Sequence, residues 1–74
     1  MTAVYLERFD PARNMARFYR VEIRPTLFGE WAVIRQWGRI GTHGQAREEW
    51  FSSIHEAQIV QASRIARKQR RGYR

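Results

Sequence analysis

From Arg17 to Arg24 the chain alternates, with Tyr19, Val21 and Ile23 on one face and Arg20, Glu22 and Arg24 on the other. A period of two marks a half-buried antiparallel strand, because successive side chains point to opposite sides of the pleat. Such a strand needs paired neighbours. Residues 4–9 read as a short one, stopped by the turn signal Asp10-Pro11. Pro11 to Ala16 is expected to be a loop. Pro25 and Gly29 bracket another, whose Leu27 and Phe28 are expected to tuck against the core. Residues 30–37 alternate again, with Trp31, Val33, Arg35 and Trp37 on one side. Their less clean opposite side predicts a central strand covered on both faces.

Gly38, Gly41 and Gly44 punctuate the next loop, and Gln45 to Phe51 predicts a fourth strand. Ser53-Ile54-His55-Glu56 has the spacing of a capping box, so a helix starts at Ser53. It runs to about Arg71, with Gly72 as the C′ residue. The fold class expected is α+β: an antiparallel β-sheet of about four strands with one C-terminal α-helix. At 74 residues the chain is one domain, 1–74, because two cores cannot be built from so little sequence.

Composition narrows the function. Cysteine is absent, so there is no disulfide and no thiolate metal site. His43 and His55 lack partners at metal-ligand spacing, so neither a metal nor a cofactor is expected. Glu48 and Glu49 are adjacent in a strand and point to opposite faces, which rules out joint acid–base work. Ser52 and Ser53 read as capping residues rather than nucleophiles. No catalytic residue is assigned, and an enzyme is not expected. The start lacks a signal peptide and no apolar run spans a membrane, so the chain reads as soluble and cytoplasmic.

The formal net charge is +7, and every basic residue except Lys68 is arginine. Arginine binds phosphate through a planar fork and stacks on flat rings, which favours nucleic acid as a partner. Trp37-Gly38-Arg39-Ile40-Gly41 sets a stacking ring and a guanidinium side by side where a strand turns. Trp37 reads either as a stacking plate or as a core residue. Arg39 is a phosphate contact or the cross-hairpin partner of Glu48 or Glu49. Gly38, Gly41 and Gly44 supply positive φ or an anion nest of backbone N–H groups. Arg64, Arg67, Lys68 and Arg71 share one helical face, as a phosphate track or a solvated stripe.

The sequence resembles a WGR domain, whose triplet is Trp37-Gly38-Arg39 here. Arg17-Phe18-Tyr19, Gly41-Thr42, Gly44-Gln45, Ala57, Lys68 and Arg71-Gly72-Tyr73 match further segments in the same order. Asn14-Met15 and Leu27-Phe28-Gly29 are similar to short stand-alone bacterial versions. In DNA-dependent poly(ADP-ribose) polymerases such a domain binds DNA near a strand break. The resemblance implies that Trp37 packs on a terminal nucleotide, and that Arg39 and Arg17 contact DNA. The asparagine often preceding that basic residue is Ala16 here, a departure that bears on 5′-phosphate recognition.

The expected function is a non-enzymatic DNA-binding module preferring ends, nicks or junctions. Its site comprises Trp37, Gly38, Arg39, Arg17, Gly41, Arg67, Lys68 and Arg71. RNA is a further option, and the alternative is a protein-interaction module using the hairpin and aromatic surface.

Overall fold

The computed structural model describes residues 2–74. Four strands, β1 (Thr2–Asp10), β2 (Met15–Pro25), β3 (Trp31–Arg39) and β4 (Gln45–Phe51), form one antiparallel sheet in the order β1-β2-β3-β4. A single helix, α1 (Ile54–Arg70), follows. The α+β fold is as expected, and β4 has the predicted bounds. The loop expected over residues 11–16 is shorter. Pro11–Arg13 form a 3-10 turn, Asn14 takes the left-handed conformation at φ 52°, and β2 starts at Met15.

The alternation in β2 decides the layering. Tyr19, Val21 and Ile23 face α1 and form the core with Leu6, Val33, Tyr73 and Ala57 of the helix. Val21 and Val33 are fully buried; burying a side chain of that size contributes roughly 1.5–3 kcal/mol. Gln61, also buried, donates from Nε2 to the Val21 carbonyl at 3.2 Å and ties the helix to a central strand. Ser53 caps α1 by accepting from the Glu56 N–H at 3.2 Å, as the capping box requires.

Two expectations are corrected. Among the described residues strand β3 is covered by α1 on one face only, and no second layer lies on the opposite face of the sheet. Side-chain pairs finish that face instead: Tyr5 stacks on Phe18, and Arg20 and Arg24 clamp Glu22 at 2.8 and 2.9 Å. Leu27 and Phe28 do not tuck inward; they are 98% and 77% exposed. Their turn closes on itself, with Thr26 Oγ1 accepting from the N–H groups of Phe28 and Glu30, and Gly29 at φ +79°. That geometry turns both side chains outward, where Phe28 meets the Trp50 ring at 6.2 Å.

Candidate nucleic-acid interface

The triplet Trp37-Gly38-Arg39 lies inside β3, not in the loop after it. Gly38 pairs with Phe18 of β2, and its φ is not positive. Its lack of a side chain answers a close approach: a Cβ there would lie 2.6 Å from Gly44 Cα. Gly44, at φ +67°, is wedged against the Trp37 carbonyl, where no Cβ fits. The hairpin therefore folds back tightly onto the triplet. Its tip is a turn in which the Thr42 N–H donates to the Arg39 carbonyl at 3.1 Å. Gly41, at φ +94°, occupies the turn's third position, which in a type II turn needs positive φ.

Strand register sets Arg8, Arg17 and Arg39 in a row, Arg8 opposite Arg17 and Arg17 opposite Arg39. All three project to the α1 side, by parity with Leu6, Tyr19 and Trp37. Like charges directly opposite one another are destabilising. No ion pair to any of them occurs among the described residues. Arg39 does not pair with Glu48 or Glu49; its Nη1 donates to the Asn14 carbonyl at 3.2 Å. Glu49 is held elsewhere, accepting from Arg64 Nη2 at 2.9 Å with Arg35 Nε at 3.7 Å.

The end of α1 supplies the rest. Gly72 at φ +94° allows a Schellman closure, in which the Tyr73 N–H donates to the Lys68 carbonyl and the Gly72 N–H to the Gln69 carbonyl, each at 3.0 Å. The closure drives Tyr73 into the core. The chain then pairs with β1, the Arg74 N–H donating to the Glu7 carbonyl at 2.8 Å. Lys68 Nζ rests between two rings, 5.0 Å from Tyr19 and 5.1 Å from Tyr73. Burial, and then the charges of Arg71, Arg17, Arg35 and Arg67, hold the Lys68 ammonium below the usual lysine range.

Two cavities meet at Trp37. One, of about 490 Å³, is lined by Arg17, Trp37, Gly38, Arg39, Lys68 and Tyr73. The other, of about 130 Å³, lies between α1 and the sheet; Arg64, Arg67, Lys68 and Arg71 line it from the helix, and Tyr19, Arg35 and Trp37 from the strands. Trp37 is half-buried, packed against the core with Arg35 Cζ 5.7 Å from its ring centroid. It is neither a free plate nor a sealed core residue; part of the ring lines both cavities.

Of the residues singled out from sequence, Trp37, Gly38, Arg39, Arg17 and Lys68 converge on the larger cavity, and Arg67 and Arg71 on the smaller. Gly41 lines neither. Sequence reading missed Tyr19, Arg35 and Tyr73 as part of this surface. The i, i+3, i+4, i+7 stripe already held Arg64, and the β3 alternation held Arg35 beside Trp37. Only the docking of α1 across the sheet joins them. Among the described residues no group of three His, Cys, Asp or Glu side chains could hold a metal ion. No described helix is long and apolar enough to cross a membrane.

Comparison with known proteins agrees with this architecture. The family model described as WGR domain matches residues 2–74. The chain is 45% identical over 71 residues to the uncharacterized protein y4dW of Sinorhizobium fredii (strain NBRC 101917 / NGR234). That alignment covers 96% of this chain and 35% of y4dW, so the chain spans about a third of its relative's length. No solved structure matches. The chain belongs to the WGR domain family.

Proposed function

We propose that this protein is a non-enzymatic nucleic-acid-binding module, with DNA ends, nicks or junctions as its preferred target. WGR domains are usually nucleic-acid binders, and the geometry here suits that task. The observation that carries the reading is the uncompensated arginine row at the triplet, Arg8, Arg17 and Arg39, beside Trp37 and Lys68. Arginine forks bind phosphate in bidentate fashion. The open part of the Trp37 ring offers a base or sugar a surface; stacking of that kind is worth about 1–3 kcal/mol per base. A nucleotide at a break can reach a recessed ring, whereas a base stacked inside an intact duplex cannot, which is why ends and nicks are favoured.

Fluorescence anisotropy with intact, nicked and blunt DNA tests the proposal at roughly 50 mM salt, where phosphate contacts are strong. Tighter binding to nicked or blunt DNA than to an intact duplex region supports it. Absence of binding to all three ends it.

A second reading has its own observation. Leu27, Phe28 and Trp50 are exposed on the uncovered face, and Ile34 and Ala32 line the same hollow with them. Aromatic surface of that kind suits a protein partner. A pull-down resistant to nuclease and to high salt favours this reading over DNA.

A further inference from the structure

The smaller cavity on the helix side of Trp37 has an electrostatic excess that its own side chains leave uncancelled. Arg35, Arg64, Arg67, Lys68 and Arg71 converge on it. One carboxylate, Glu49, serves Arg64 and Arg35. Arg35 Nε is buried, and at 3.7 Å Glu49 is too far to accept its hydrogen bond, so that donor is unused. Arg67 and Arg71 have no carboxylate partner among the described residues. Tyr19 closes the floor. Burial holds its phenol above the usual tyrosine range, against the opposing pull of Arg35, Arg64 and Arg67, so it is protonated at neutral pH. A space larger than a water, ringed by cationic donors, suits one tetrahedral oxyanion.

We propose that this cavity is a phosphate subsite, separate from the arginine row at the triplet. Trp37 and Lys68 line both cavities, so they form the wall between the two subsites. A nucleotide on Trp37 then has an arginine-lined seat for a phosphate on either side. This deepens the nucleic-acid reading and rests on it for the source of the phosphate: a diester of the strand whose neighbouring phosphate meets Arg17 and Arg39. A free compound with the same chemistry, such as pyrophosphate, has the same charge complementarity.

The test uses Arg67→Gln and Arg71→Gln, both at exposed positions, with Arg70→Gln as a control of equal charge on the same helix outside the cavity. Binding is measured to a short single strand, and to the same strand with successive phosphates replaced by neutral methylphosphonates. Trp fluorescence reports a parallel titration with inorganic pyrophosphate. The subsite predicts about a tenfold loss of strand affinity in the combined Arg67→Gln, Arg71→Gln variant, over and above twice the free-energy loss in Arg70→Gln, which removes one charge where the pair removes two. It also predicts one methylphosphonate position that weakens the wild type but not that variant. Pyrophosphate binding abolished by the same pair, with no strand dependence, assigns the cavity to a free phosphate compound. Equal losses in Arg70→Gln and the cavity variants, together with no pyrophosphate binding, overturn the subsite. In that case the nucleic-acid reading still stands if Arg17→Gln and Arg39→Gln weaken the strand, and falls if they do not.

Discussion

Arg17 and Arg39 face each other across the β2–β3 ladder, and neither has a carboxylate partner among the described residues. The juxtaposed charges themselves cost the fold stability, since like charges opposite one another in a sheet destabilise it. Replacing Arg17 with glutamine is therefore expected to leave the thermal midpoint unchanged or raise it slightly while weakening nucleic-acid binding. Arg39→Gln weakens binding too, but also gives up the hydrogen bond to the Asn14 carbonyl, a loss of about 0.5–1.5 kcal/mol that offsets the relief of repulsion. Each lost phosphate contact should flatten the slope of log affinity against log salt by about 0.7–0.9. Paired thermal melts and salt titrations measure both halves. A variant that loses stability in proportion to binding would mean the arginines are structural.

Lys68 gives the proposed interface a pH dependence. Its ammonium loses its proton below the usual lysine range, chiefly through burial and then through the arginines around it. Affinity for a single-stranded oligonucleotide should fall as pH rises through that depressed value, and proton uptake should accompany binding above it. Lys68→Arg, with a guanidinium that stays charged, is expected to flatten the profile. An unchanged profile in Lys68→Arg would assign the titration to another group.

The glycines of the hairpin should separate by mechanism. Gly38→Ala meets the Gly44 backbone and is expected to cost about 1–3 kcal/mol, as overpacking does. Gly44→Ala adds left-handed strain to a collision with Trp37 and should prevent folding of the hairpin. Gly41→Ala has open space around it and keeps only the conformational penalty, about 1–2 kcal/mol. Urea denaturation of the three variants gives the order directly, and a Gly41 variant as damaged as Gly38 would refute it.

On the uncovered face, Arg24 and Arg20 hold the Glu22 carboxyl below its ordinary range, against the opposing effect of burial. A depressed carboxylate stabilises the fold fully above its unfolded value of 4.5, and that stability is lost as pH falls through the folded value. Glu22→Gln should cost about 1–2 kcal/mol at neutral pH and make unfolding less sensitive to acid between neutrality and pH ~3. Denaturant curves at both ends of that range check it.

Local signals carried most of the fold. The β2 alternation, the bounds of β4, the Ser53 cap and Gly72 as the C′ residue all depend on neighbours within a few positions. Gly38 was misread as a loop residue because glycine normally interrupts strands. Here pairing with Phe18 extends β3 through it, and Gly44 demands the missing side chain. Leu27 and Phe28 looked like core by hydrophobicity alone, while the hydrogen bonds of Thr26 decided otherwise. The triplet and the basic stripe were both legible, but their meeting was not. It depends on strand register and on the seat of Lys68 between Tyr19 and Tyr73, contacts that span most of the chain.

The proposed function puts nucleic acid on the helix side of the sheet at Trp37, not on the uncovered side at Trp50. Each of the three tryptophans has its own indole N–H signal in an amide correlation spectrum, so titration with a nicked duplex at low salt distinguishes the two faces. The prediction is that the Trp37 indole signal shifts, together with the backbone signals of Arg17, Arg39 and Lys68, while the Trp50 signal stays in place. Shifts confined to Trp50, Leu27 and Phe28 would move the binding face to the uncovered side, and a spectrum that does not change at all would rule out binding to the nicked duplex.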